Sequence, residues 1–319
     1  MATTTATNPQ EVQAKGLEAG FIWFNGELVP QAEAKVSVLT HALHYGTSVF
    51  EGIRAYETPK GSAVFRLPEH AQRLLDSAKI IGMPVTQTAT EISEAITSTV
   101  RKNGYTSCYI RPLLWFGSEK LAIDPRGNSV NFMVAAWPWG AYLGEDAVQK
   151  GARLMTSSWR RSPGDVIATK AKAGGNYVNS VLANLEAHDN GFDEALLLDK
   201  EGFVAEGSGE NIFFIKNGVL HPVAHSINLR GITRDSVISI AKWLDMPIEV
   251  TMATRDELYT ADEVFMVGTA AEVTPIASID RRDIGTGTAG ELTLKIRDAY
   301  LKAVSGQLPE FEAWLSYVD

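Results

Sequence analysis

The hydrophobic period of this chain switches irregularly between two and about 3.6 residues, and this limits its fold more than any other feature. In the first half, FIWFNGELV brackets Asn25-Gly26, a pair favoured in two-residue hairpin turns because both positions need a positive φ. VSVLT (36–40), SVFEGIRAY (48–56) and AVFR (63–66) read as further extended runs. Pro68 can open a helix, and Ala71, Leu74, Leu75, Ala78 and Ile81 recur at helical spacing until Gly82. A second helix is predicted from Glu91 to Lys102, and SCYIRPLLWF and SVNFMVAAW read as buried strands. In the second half, ARLMTSSW, EALLLD, GFVAE, NIFFIK and EVFMV are strand-like, with a second hairpin signal at Asn217-Gly218. Helices are predicted from Asn176 to Asp189, over 232–244 and over 290–304. PWGAYLGED, at 138–146, breaks both periods with Pro and Gly. The mixture lacks the regular alternation of a doubly wound sheet, so an α+β architecture in two domains is expected. The divisions are a loose N-terminal arm at 1–20, a small α/β domain at 21–137, an interdomain loop at 138–147 and a large domain at 148–319.

Charge and composition remove several classes of function. A net charge of -9 without a basic block argues against a nucleic-acid partner, which requires clustered Lys and Arg. No apolar run approaches a membrane span, and no apolar segment follows a basic start, so a cytoplasmic location is the expectation. The single cysteine, Cys108, sits inside an apolar run and reads as a small buried hydrophobe. GTGTAG at 285–290 satisfies a dinucleotide-binding pattern, but only 29 residues follow Gly290, too few for the strand and acid that the fingerprint needs. His41 and His44 flank a β-like segment with no third ligand near, which favours a structural role over a metal site.

Four segments carry chemistry when taken together. Lys172 opens KAGGNY, where two glycines permit close approach and Tyr177 supplies a phenol; Lys170 is a competitor two residues earlier. Glu206 opens EGSGEN, between an extended run and a Gly-rich turn, and such a carboxylate can keep a pyridine nitrogen protonated. GITRD (231–235) precedes an apolar-periodic helix, so the N–H groups of Ile232 and Thr233 could bind an anion, although Thr233 as a plain N-cap explains the spacing equally well. GTAAE (268–272) follows a strand and could present N–H groups to a phosphate or carboxylate. Singly, each has an ordinary explanation as a solvated lysine, a loop acid, a cap or a turn.

In this order, and with HALHYGTSVFEGIRAY, YIRPL, PWGAYLG, LRGITRD and ADEVFMVGTAAEVTP, the chain resembles the branched-chain amino acid aminotransferases. These are fold type IV, D-amino acid aminotransferase-like enzymes that use pyridoxal 5'-phosphate, and the resemblance runs from about residue 21 to the C-terminal helix. It implies transamination between L-leucine, isoleucine or valine and 2-oxoglutarate by a reversible ping-pong cycle. The rival within the fold is a D-amino acid or (R)-amine transaminase, or a lyase. A non-catalytic scaffold would have lost Lys172 or Glu206, and both are present. The resemblance makes Lys172 the catalytic residue, linked to the cofactor and shuttling its proton, with Glu206 on the pyridine nitrogen and Tyr177 on the phenolic oxygen. Arg73, Gly209, Leu229, Gly231, Ile232, Thr233, Gly268 and Thr269 complete the implied cofactor site. For substrate it implies Phe50, Arg54, Tyr109, Arg111, Trp139, Tyr142, Thr269 and Ala270, with Tyr45, Leu121 and Ile123 reaching in from the neighbouring subunit of a homodimer. Arg230 before GITRD, Ala168 ahead of the lysine and Gly164 depart from the pattern and bear on substrate breadth.

Overall fold

The structure, a computed structural model, describes residues 20–139, 150–224 and 226–318. In the first stretch, β1 (Phe21–Phe24) and β2 (Glu27–Pro30) lead to a short helix α1 (His41–Tyr45). Strands β3 (Ser48–Phe50), β4 (Ile53–Thr58) and β5 (Gly61–Phe65), helices α2 (Leu67–Ile80) and α3 (Ala89–Asn103), and strands β6 (Cys108–Phe116) and β7 (Val130–Trp137) follow. Next come β8 (Ala152–Arg160), α4 (Tyr177–Asp189), β9 (Glu194–Leu198), β10 (Val204–Gly207), β11 (Asn211–Lys216) and β12 (Val219–Pro222). Helices α5 (Ile232–Trp243) and α6 (Arg255–Tyr259), strands β13 (Glu263–Gly268), β14 (Glu272–Ile279) and β15 (Arg282–Asp283), helix α7 (Glu291–Val304) and strand β16 (Leu315–Tyr317) complete the chain.

Among the described residues, one compact unit comprises 20–139 and 305–318, and the other 150–304. The first is built on an antiparallel sheet in the order β16-β5-β4-β6-β7-β1-β2, with β3 also on β6. Both predicted Asn-Gly hairpins form: Asn25 and Gly26 have φ of 49° and 106°, and Asn217 and Gly218 have 51° and 76°. Helix α3 starts on a reciprocal Thr88/Glu91 capping box and stops at left-handed Gly104, so its sequence fixes both ends. Leu74, Ile92 and Ile96 of α2 and α3 are fully buried.

The second unit's sheet runs β10-β9-β8-β14-β13-β11-β12, with β15 on β14. Here β8 is parallel to both of its neighbours, β9 and β14, whereas the remaining pairs are antiparallel. The segment after β8 therefore leaves from the carboxyl end of a central parallel strand, the usual place for a ligand in such sheets. GTGTAG forms a loop before α7, as expected.

Three expectations need correction. VSVLT lies outside both sheets as a turn with Val38 and Leu39 exposed, because apolar alternation makes a strand only where a neighbouring strand accepts it. His41 and His44 sit on α1 rather than flanking an extended segment. The last stretch of the proposed 148–319 domain belongs to the first unit, since β16 pairs with β5. Most of the connection predicted at 138–147, and the N-terminal arm, lie outside the described residues.

Candidate active site

In the second unit, the segment joining β8 to α4 carries Lys172 into a cavity of about 230 Å³. That volume is below the ~300–1,000 Å³ common for drug-sized ligands and suits a single substituted ring. Lys172, Tyr177, Glu206, Arg161 and Leu229 line it. Lys172 Nζ donates to the Tyr177 hydroxyl at 2.7 Å. Asn176 secures the lysine segment by donating its amide to the carbonyls of Ala168 (2.9 Å) and Ala171 (3.1 Å). Lys170 points elsewhere: its Nζ donates to the Asn228 carbonyl at 2.5 Å. Burial, and then the charge of Arg230, pulls the Lys170 ammonium below its ordinary value.

Glu206 enters the cavity from β10, where the register with β9 shifts between Val204 and Glu206 and turns the side chain inward. Its Oε1 lies 2.9 Å from Arg161 Nε, while Oε2 accepts two long bonds, from Asn211 Nδ2 and the Leu229 N–H, both at 3.3 Å. Burial lifts the Glu206 carboxyl above its usual range, against the opposing charges of Arg161, Lys172 and Lys170. Four residues on, burial and the charge of Glu194 push Glu210 up to about 8.

Helix α5 begins just beyond Leu229. Gly231 is its N-cap and makes no side-chain cap hydrogen bond, so Thr233, the second helical residue, is not the cap. Ile232 and Thr233 are buried at this N-terminus, where backbone N–H groups and the helix dipole favour an anion. A Cβ on Gly231 would collide with Asn211 Oδ1, so glycine is required there for close packing. Gly268 lies beside the Gly209 carbonyl, and Thr269 and Ala270 occupy the turn joining β13 to β14, outside the cavity lining.

The first unit holds two further groups of the predicted residues. Arg73 clamps the buried Glu51 with Nε at 2.6 Å from Oε1 and Nη2 at 2.7 Å from Oε2, and His70 Nδ1 lies 2.7 Å from Oε2. Burial alone would raise the Glu51 carboxyl, but Arg73 and His70 outweigh it and hold it well below the carboxylate range. Strands β3, β4 and β6, with the two residues just beyond β7, gather Phe50, Arg54, Tyr109, Arg111 and Trp139. The Arg111 guanidinium lies 4.7 Å from the Phe50 ring centroid and donates to the Tyr109 hydroxyl at 3.1 Å, and Tyr109 stacks on Trp139 at 4.8 Å. Arg54 Nη2 reaches the Trp139 carbonyl at 3.4 Å. A Cβ on Gly52 would overlap the Tyr109 hydroxyl, so that strand approach also requires glycine.

Tyr45, Leu121 and Ile123 do not join this group; they are exposed, at 46%, 46% and 85%. Buried His41 links their two segments, with its ring 4.6 Å from that of Tyr45 and its Nε2 2.6 Å from the Ala122 carbonyl. No cluster of three potential metal ligands exists among the described residues. Tyr142 lies outside them. Sequence reasoning missed Arg161, Asn211, Glu51 and His70. His70 and Arg73, three apart in the EHAQR helix, carried a signal for a shared partner, whereas nothing in the WRR run marked Arg161.

A model of the amino-transferase class IV family matches residues 48–279. The branched-chain-amino-acid aminotransferase of Escherichia coli (strain K12) is 48% identical over 304 residues, covering 95% of this chain and 98% of the relative. That of Pseudomonas aeruginosa is 48% identical over 299 residues, covering 94% and 97%. The chain superposes with a TM-score of 0.93, at 62% identity, on the crystal structure of the T.th. branched-chain amino acid aminotransferase with pyridoxamine 5'-phosphate, covering 95% of this chain and all of that one. The same enzyme complexed with N-(5'-phosphopyridoxyl)-L-glutamate gives 0.92 at 61% identity, with the same coverage.

Proposed function

The chain belongs to the class IV aminotransferases, and from that premise we propose a pyridoxal 5'-phosphate enzyme that transfers amino groups between L-branched-chain amino acids and 2-oxoglutarate. One observation carries the reading: an amine, a phenol and a buried acid, Lys172, Tyr177 and Glu206, line a single ring-sized cavity. These residues fit the cofactor. Glu206 Oε2 keeps accepting capacity because both of its bonds are long, and the start of α5 makes no side-chain cap bond. When bound, the cofactor supplies a ring that withdraws electrons from the substrate Cα.

The residues of this chain bind, orient and move the proton. With the cofactor bound, Lys172 would hold it covalently and, once displaced by substrate, would carry the proton between the substrate Cα and the cofactor C4′, in opposite directions in the two half-cycles. Tyr177, bonded to Lys172 Nζ, keeps the amine oriented. Glu206 would accept the N–H of the cofactor's ring nitrogen and so keep that nitrogen protonated. The N–H groups of Ile232 and Thr233, with Thr269 and Arg73, are assigned to the phosphate, and Gly209, Leu229, Gly231 and Gly268 to the close-packed backbone around it.

We assign the substrate to Phe50, Arg54, Tyr109, Arg111, Trp139 and Tyr142, with Thr269 and Ala270 on its carboxylate. Apolar rings suit a leucine, isoleucine or valine side chain, and the guanidinium groups suit the distal carboxylate of glutamate. We further propose a homodimer that works in the cytoplasm. The exposed apolar side chains Leu43, Tyr45, Leu121 and Ile123 support a subunit interface, since such clusters on a surface mark association sites.

The test is a half-reaction. Cofactor-loaded protein mixed with L-leucine should lose its visible absorption band as the amino group is transferred. Lys172→Ala should abolish both the band and its loss, and Lys170→Ala should leave them largely intact. Faster turnover of D-alanine or (R)-1-phenylethylamine than of L-leucine would overturn the substrate assignment.

A further inference from the structure

We propose that Arg161 is a positioning residue for the transamination reaction, acting through Glu206 to keep its carboxylate ionised and facing the pyridine nitrogen. The inference rests on the cofactor reading above and concerns a residue to which that reading gives no role.

Arg161 is the first residue beyond β8, and its side chain is 13% exposed. Its two Nη groups donate to both elements that shape the cavity, whereas Nε makes a charge contact without a hydrogen bond. Nε faces Glu206 Oε1 at 2.9 Å. Nη1 donates to Asn179 Oδ1 and Ser180 Oγ, each at 3.1 Å, on the helix that begins with Tyr177. Nη2 donates to the carbonyls of Gly207 at 3.1 Å and Ser208 at 3.5 Å, in the turn that follows Glu206. One planar, permanently charged fork thus fixes the carrier of the ring's acid and the carrier of its phenol relative to each other, which a flexible ammonium could not do.

Its charge matters because the rest of the environment favours the protonated acid. Glu206 is buried, and Glu210, itself crowded by Glu194, lies four residues away in the same turn. The cations whose charge acts on Glu206 are Arg161, Lys172 and, from outside the cavity lining, Lys170. Lys172 gives up its free ammonium when it links to the cofactor, and burial with the charge of Arg230 pulls the Lys170 ammonium below its ordinary value. Arg161 is the constant member of the set. If Glu206 were neutral, the pyridine nitrogen would lose the anion that keeps it protonated, and the ring would withdraw electrons poorly.

The experiment uses cofactor-loaded Arg161→Met and Arg161→Lys, followed by kcat/KM against pH and by absorbance titration of the bound cofactor. Removing a neighbouring cation raises a carboxyl pKa, so ionised Glu206 should appear only at higher pH. In Arg161→Met the acid limb and the absorbance transition should move up by about 1–3 pH units, the effect of an adjacent opposite charge. In Arg161→Lys both should move in the same direction by less. Added to Glu206→Gln, Arg161→Met should cost little further activity, because the group it acts through is already uncharged. Reduced activity with an unmoved limb and transition in Arg161→Met would show a merely structural role and overturn the proposal. Should that variant be too unstable to purify, the same result in Arg161→Lys does so. Wild-type protein lacking a Lys172-dependent visible band would overturn the cofactor reading, and this inference with it; a normal band with an unmoved limb overturns the inference alone.

Discussion

Glu51 in the first unit and Glu206 in the second are both buried carboxyls facing arginine, yet their acidities move in opposite directions. Glu51 is gripped through both oxygens by Arg73 and contacted by His70, and these outweigh the cost of burial. Glu206 meets Arg161 through one oxygen, holds two long hydrogen bonds on the other, and has a second acid close by. Burial sets the same tendency in both places, and the geometry of the partners decides the outcome. A fully satisfied carboxylate serves structure, whereas one with spare accepting capacity is suited to bind a ligand.

The largest test of this contrast removes the satisfied acid. Glu51→Leu leaves Arg73 and His70 beside an uncharged group, and should lower unfolding free energy by about 3–5 kcal/mol in urea titrations at neutral pH. Because the folded Glu51 value is depressed, this stabilisation is complete above the ordinary value of 4.5 and fades as pH falls towards the folded value. A variant as stable as wild type at pH 7 would remove Glu51 from the structural side of the comparison.

Glu210 gives the opposite sign. With a folded value near 8 against 4.5 unfolded, the native state binds a proton that the unfolded chain has released between those values. Its contribution therefore becomes less favourable as pH rises from about 4.5 to about 8 and levels off above. Glu210→Gln, which imitates the protonated acid, should stabilise the protein by up to about 4 kcal/mol at pH 8 and have little effect at pH 4.5. Equal effects at both pH values would refute the assignment.

Two glycines probe the units through packing. Gly231→Ala meets Asn211 and should weaken cofactor affinity by roughly tenfold in equilibrium dialysis, and Gly52→Ala meets the Tyr109 hydroxyl and should raise KM for L-leucine by a similar factor. If Gly52→Ala weakened cofactor affinity and left KM unchanged, the division of labour would be wrong. The smallest effect is expected at Cys108, whose thiol is 1% exposed and pushed up to about 12 by burial. A chromogenic disulfide reagent should leave it unmodified at pH 8 until the protein unfolds.

Much of this could be read locally. The Asn-Gly hairpins, the helix behind Pro68 and the strands around Tyr109 and Phe213 follow from spacing and turn chemistry carried within a few residues. Lys172, Tyr177 and Glu206 stood out because each lies beside glycines in a recognisable order, and the structure places all three around one cavity. VSVLT misled because its alternation is real but meets no strand, and β16 escaped because its pairing partner lies some 250 residues earlier.

The sequence by itself determined most element types, the hairpin turns and the family, and singled out Lys172, since these depend on neighbouring residues or on an ordered set of short segments. Only the tertiary structure decided in which direction each buried acid is shifted, that Arg161 and Asn211 flank Glu206, and that Lys170 turns away to Asn228. Those facts are sums of burial and Coulomb interaction over atoms far apart in the chain, and no local spacing encodes them.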